Sequence, residues 1–118
     1  MSGLAYKLVD RVEWATALAV GAYAGSAVDL ADGYIHMSTT AQLAETARRH
    51  YAGRSDLVLV EVGLAPLGEA LKWEASRGGD LFPHLFAPLP ARADAPARRL
   101  AVDADGVMRF EDGAVGWP

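Results

Sequence analysis

Asp56-Leu57-Val58-Leu59-Val60-Glu61-Val62 is the stretch on which the fold turns. Apolar, mostly β-branched side chains fill consecutive positions, so a strand drawn through it is apolar on both faces. Such a strand belongs in the middle of a sheet, covered on both sides. Everything around it is then read as the cover and the neighbouring strands.

Upstream, Leu4-Ala5-Tyr6-Lys7-Leu8-Val9 alternates as a first strand. Asp10, with Glu13 three residues on, has the spacing of a capping box, and Trp14, Ala17 and Leu18 give the following helix its apolar face up to Gly21. The small and turn-forming residues from Tyr23 to Gly33 predict a loop. Tyr34 to Ser38 reads as a short second strand. Thr39 and Gln42 repeat the capping pattern before a helix marked by Leu43, Ala47 and Tyr51, ending near Gly53. Downstream, Pro66–Ala70 is expected as a turn or one helical turn and Leu71–Glu74 as a short strand. A long irregular loop is expected up to about Pro96, because Gly78, Gly79, Pro83, Pro88 and Pro90 interrupt it. Asp105-Gly106 between two apolar runs signals a hairpin. The order of strand, helix, strand, helix and then mostly strands predicts a small α+β fold, with residues 1–118 as a single domain.

Composition narrows the function. The chain has 118 residues and no cysteine, which excludes a disulfide framework, a thiolate zinc site and a cysteine nucleophile. The formal net charge of −4 argues against nonspecific nucleic-acid binding. The longest apolar run, Ala15 to Ala24, is too short for a bilayer, and the start shows no basic stretch leading into an apolar one. No membrane association is expected, and a cytoplasmic location is.

Two of the three histidines stand in segments rich in rare chemistry. On a strand Tyr34, His36 and Ser38 share one face, opposite the apolar Ile35 and Met37, so three hydrogen-bonding side chains point away from the core. Ser38 and Thr39 precede a helix, whose free N–H groups cap locally or attract an anion. Trp73 could stack on a flat ring, and Glu74 could hold a ribose hydroxyl or stabilise a cationic transition state. As strand neighbours, they face opposite ways. Arg77 could fork onto a phosphate or carboxylate. Pro83 stiffens the backbone that carries His84. His36 and His84 are expected in one cleft, as the catalytic pair with Glu74, with Tyr34, Ser38, Thr39, Trp73 and Arg77 binding ligand. No metal site is expected, because two histidines without a third ligand make a poor zinc site.

Three separated motifs carry a resemblance: Asp32-Gly33-Tyr34-Ile35-His36-Met37-Ser38-Thr39, Leu67-Gly68-Glu69-Ala70-Leu71-Lys72-Trp73-Glu74 and Phe82-Pro83-His84-Leu85-Phe86-Ala87-Pro88-Leu89. In that order, and with Tyr6-Lys7-Leu8 ahead of a Trp-bearing helix, the chain from about Ala5 to Leu89 resembles the bacterial domain-of-unknown-function 952 family. The resemblance implies a fold similar to the ADP-ribosyltransferase fold, a split and bent sheet with two main helices around a nucleotide cleft. That fold is shared by NAD-using transferases, poly(ADP-ribose) polymerases and RNA 2′-phosphotransferases. It makes NAD a candidate cofactor and a nucleotide or other phosphorylated molecule the implied ligand. His36 then resembles the position that meets the NAD ribose, and Ser38 and Glu74 are candidates for the hydroxyl and glutamate of the transferases. For the phosphotransferase chemistry, the basic candidates are His36, Arg77 and His84. The implied function is a transferase or, alternatively, a noncatalytic ligand-binding or protein-interaction module on the same fold.

Overall fold

The apolar run from Leu57 becomes a strand, Leu57–Gly63, with a partner along each edge. The computed structural model describes residues 3–117, and of Arg77 only the backbone. In chain order the elements are β1 (Leu4–Asp10), α1 (Arg11–Val20), β2 (Ala22–Tyr23), α2 (Ala27–Asp32), β3 (Ile35–His36), α3 (Thr40–His50), β4 (Leu57–Gly63), β5 (Leu71–Ser76), β6 (Asp80–Leu85), β7 (Leu89–Pro90), β8 (Ala97–Val102) and β9 (Met108–Phe110). Short 3-10 segments at Ala65–Ala70, kinked at Gly68, and at Arg77–Gly79 flank β5. No helix among the described residues is long and apolar enough to cross a membrane.

The result is a mixed α+β fold with antiparallel sheets. The four-stranded sheet runs β1-β4-β8-β9, a three-stranded sheet runs β3-β6-β5, and β2 pairs with β7. The two larger sheets meet where Tyr6 on β1 exchanges backbone hydrogen bonds with Ser38, just past β3. The alternation of β1 and β4 sorts their side chains. Ala5, Val9, Val58, Val60 and Val62 enter one core with Trp14 and Ala17 of α1. Tyr6, Leu8, Leu57 and Leu59 enter the other with Leu43 and Ala47 of α3. β4 is thus buried on both faces, which is why its sequence is apolar at consecutive positions.

The caps explain where the helices begin. The Asp10 carboxylate accepts from the Val12 and Glu13 N–H groups, and Gly21 ends α1 in the left-handed region. Thr39 and Gln42 form a reciprocal capping box at α3. The β8–β9 hairpin turns at Asp103–Gly106, where the Asp103 carboxylate accepts from Asp105 and Val107 N–H. Gly106 has φ +87°, and a Cβ there would come 2.8 Å from Arg48 Cα on α3. Only glycine permits both that turn and that approach.

Two expected loops are ordered elements. The segment read as loop from Tyr23 to Gly33 contains α2, because Ser26 caps it and Asp29 returns the bond, a capping box visible in the sequence. The segment read as irregular up to Pro96 contains β6 and β7. Pro83 lies inside β6, the central strand of its sheet. Its carbonyl accepts from Met37 N–H beyond the two-residue β3, so its missing N–H costs the β5 ladder nothing.

Leu59→Ala should lose about 2–5 kcal/mol in a denaturant melt through the transfer and cavity terms. Val20→Ala, at an exposed position of α1, should stay within about 0.5 kcal/mol of the wild type.

Candidate functional site

The site begins with a lysine in the wrong place. β1 sends Ala5 and Val9 into the core beneath α1, and Lys7, midway between them on the same face, is 4% exposed. A buried ammonium must be paired. Its partner is Asp29 on α2, 2% exposed, with Nζ 2.9 Å from Oδ2 and 3.1 Å from Oδ1. The same carboxylate accepts from Ser26 N–H at 2.9 Å and His36 N–H at 3.1 Å, and its Oδ1 lies 2.6 Å from His36 Nδ1. Gly25 packs so closely that a Cβ there would come 2.7 Å from Asp29 Cβ. Burial alone would raise the Asp29 carboxyl. The His36 hydrogen bond, the Lys7 charge and the Ser26 N–H outweigh it and hold the group well below the usual carboxylate range. Burial lowers Lys7, with Asp29 opposing the shift.

His36 passes this anchored geometry to the surface. His36 and His84 are direct partners across the β3–β6 pair, so their side chains share a face. Their ring centroids are 5.5 Å apart. Tyr34 stacks on His84 at 4.2 Å and lies 4.6 Å from His36 and 5.0 Å from Phe86. β5 brings Glu74 diagonally onto the same face, with Oε1 2.8 Å from His84 Nδ1. On the open side, Asp32 Oδ2 is 2.9 Å from His36 Nε2. The Tyr34 phenol is pushed up by burial first and then by the Asp32, Glu74 and Asp29 charges.

The cluster therefore grades outward. Lys7, Asp29 and His84 are buried, His36 is one-third exposed, and the Asp32 and Glu74 side chains are nearly half exposed. Each imidazole meets a carboxylate through Nδ1. A carboxylate that accepts from Nδ1–H fixes the ring and leaves the other nitrogen of His84 to act on a ligand, whereas His36 meets a second carboxylate, Asp32, at Nε2 and is placed to donate from both nitrogens. The arrangement can thus move protons and receive hydroxyl donors. Among the described residues, no group of three or more His, Asp or Glu is placed to hold a metal ion.

Of the residues singled out in the sequence, Tyr34, His36, Glu74 and His84 come together. Ser38 does not join them. It is buried, and its Oγ lies 2.8 Å from Thr46 Oγ1 on α3. Thr39 caps α3. Trp73 pairs across from Pro83, on the face of β5 opposite Glu74, and is 46% exposed. Arg77 opens a 3-10 turn, and its side chain lies outside the described residues.

Sequence reasoning missed Lys7, Asp29, Asp32 and Phe86. A signal for Lys7 and Asp29 exists. Lys7 occupies a core position of an alternating strand, which demands a buried acid, and Ser26-x-x-Asp29 announces the helix that supplies one.

The chain is similar to known proteins along most of its length. The model of the family described as Protein of unknown function (DUF952) matches residues 8–94. The crystal structure of protein CC0527 from Caulobacter crescentus is similar at 51% identity and a TM-score of 0.83, covering 90% of this chain and 93% of that one. A crystal structure of a double mutant of that protein gives 49% and 0.82 over the same shares. Its solution NMR structure gives 52% and 0.75, covering 87% and 89%. No curated protein matches the chain significantly.

The depressed Asp29 carboxyl sets a pH dependence. A group whose pKa falls on folding contributes stability that is complete above its unfolded value, near 4, and is lost as the pH drops through the native one. Asp29→Asn leaves the Lys7 ammonium buried beside a neutral amide and should cost about 3–5 kcal/mol at pH 7. The difference between the variant and the wild type should narrow on acidification below about pH 4. Urea melts of both proteins across that range measure it, and a gap independent of pH would mean that the Asp29 charge contributes nothing.

Proposed function

This chain belongs to the DUF952 family, and on that premise we propose that the Tyr34–His36–Glu74–His84 cluster is an acid–base site for a nucleotide. Its ribose meets the imidazoles in an ADP-ribosyltransferase-like cleft. The observation that carries the reading is the pair of neighbouring imidazoles, 5.5 Å apart, each held through Nδ1 by its own carboxylate. Carboxylate-held imidazole is the arrangement that general acid–base chemistry uses.

The charge around the pair favours the sugar end of a nucleotide over its phosphates. Lys7, the buried cation of the cluster, is spent on Asp29, while Asp32 and Glu74 present carboxylates at the open side. A phosphate there would meet those two carboxylates, with Lys72, the register partner of His84 on β5, as a nearby cation. A ribose diol would instead find the Asp32 carboxylate as its acceptor, oriented by the His36 Nε2 that faces it, and the exposed Phe86 beside Tyr34 offers a flat apolar contact. Among the ligands that the fold resemblance suggests, this supports an NAD-like molecule more than an RNA end. NAD would supply a ribose carbon bearing a cationic leaving group. Asp32, oriented by His36, and Glu74 would hold the sugar and stabilise positive charge developing on it. Glu74, held by His84, is the candidate to take up an acceptor's proton.

The second reading is a noncatalytic ligand-binding module. It draws on the place of the cluster outside the cavities beside Trp14 and beside Trp117, neither of which is lined by His36 or His84. Turnover separates the two readings.

ADP-ribose or NAD should raise the melting temperature, because a ligand that binds only the native state stabilises it. His36→Gln and His84→Gln should remove that shift. His36→Gln gives up the ring hydrogen bond to Asp29 and should melt somewhat below the wild type while remaining folded, so the shift is read against its own ligand-free melting temperature. Release of nicotinamide that Glu74→Gln abolishes would establish the transferase, and binding without release the module. A native protein with no thermal response to NAD, ADP-ribose, other nucleotides or 2′-phosphorylated RNA would refute the nucleotide reading.

A further inference from the structure

A second site of opposite character lies on the far edge of α1. Val58 of β4 pairs with Arg99 of β8, and Val60 with Ala97, so Arg99 and Ala97 stand on the sheet face beneath α1. α1 covers β1 and β4 there, leaving Val58 and Val60 buried and Ala97 and Arg99 exposed. The segment around Arg92–Ala95 closes over the remaining width. Between them lies a cavity of about 230 Å³, lined by Arg11, Arg92, Arg99, Trp14, Leu18, Val58 and small alanines.

Its lining includes three arginines and, among the described residues, no Asp or Glu. In a chain of net charge −4 this is a marked local excess of positive charge. Arg11 and Arg92 have partners in Asp56 at 3.5 Å and Asp94 at 3.0 Å, but these pairs are largely exposed. Exposed pairs of that kind contribute little, so an incoming anion can replace them cheaply. The floor of the cavity is apolar, formed by Trp14, Leu18 and Val58, all poor partners for an inorganic ion alone.

We propose that this cavity binds a small organic anion whose carboxylate or phosphate faces Arg11, Arg92 and Arg99 and whose apolar body rests on Trp14, Leu18 and Val58. The size agrees with that occupant. A cavity of about 150 Å³ takes a benzene ring, so the space here holds a ring and one acid group. The guanidinium fork matches the oxygens of either acid.

The test is an NMR titration of the Trp14 indole N–H, assigned with Trp14→Phe, against benzoate, phenyl phosphate and the neutral isostere benzamide at millimolar concentration. At least one of the two anions should shift the resonance saturably, and benzamide should not. The tighter anion identifies the acid group. Arg99→Gln, at an exposed position that the fold does not need, should weaken the binding about tenfold, the scale of one charge-assisted hydrogen bond. His36→Gln should leave it unchanged. The proposal falls if neither anion gives a saturable shift, if benzamide matches them, if Arg99→Gln binds as well as the wild type, or if His36→Gln abolishes the effect.

Discussion

One buried ion pair organises this molecule. Lys7 and Asp29 are both almost fully enclosed, their charged atoms are 2.9 Å apart, and they come from different layers, the sheet and a short helix. Two such charges taken out of water tolerate no other partner geometry, since a displaced carboxylate would strand an ammonium in the core. Buried pairs are weak sources of net stability compared with apolar side chains of the same shape. What this one supplies is position. It fixes six-residue α2 against β1, and everything that faces the solvent on that side inherits the placement.

The placement is transmitted through one carboxylate. Asp29 accepts from Lys7, from the Ser26 N–H that begins α2, and from both backbone and ring of His36. Its ionised form is strongly favoured in spite of burial. The His36 ring is therefore held from behind by a fixed negative charge while its other nitrogen looks outward to Asp32. His84 repeats the arrangement with Glu74. Tyr34 then closes the space between the rings by stacking. Polar groups are thus arranged in order of burial, from a core ion pair to half-exposed carboxylates, across β1, α2, β3, β5 and β6.

The sheet architecture makes this compatible with stability. β4 carries the apolar load on both faces, with α1 and α3 as covers. The three-stranded sheet of β3, β6 and β5 joins the larger one through the Tyr6–Ser38 bridge, so its outer face is free to carry histidines and acids. Ser38 illustrates the division. One pleat beyond His36, its hydroxyl meets Thr46 on α3 and secures the junction of the two sheets.

The sequence alone determined the parts that depend on near neighbours. The apolar run at Leu57–Val62, the caps at Asp10 and Thr39 and the Asp105-Gly106 hairpin are patterns within a few residues, and local sterics and hydrogen bonding decide them. It also determined that Tyr34 and His36 turn away from Ile35 and Met37, because a strand's period is 2. It misled where a local rule met a tertiary exception. Pro83 reads as a strand breaker, yet its missing N–H falls beyond the end of β3 and β6 forms around it. Only the tertiary structure decided that Lys7 meets Asp29, 22 residues away, that His84 lies opposite His36, and that Glu74 rather than Trp73 faces the pair. Those contacts depend on which faces of distant segments are pressed together. Register and sheet order set that, and no spacing along the chain records it.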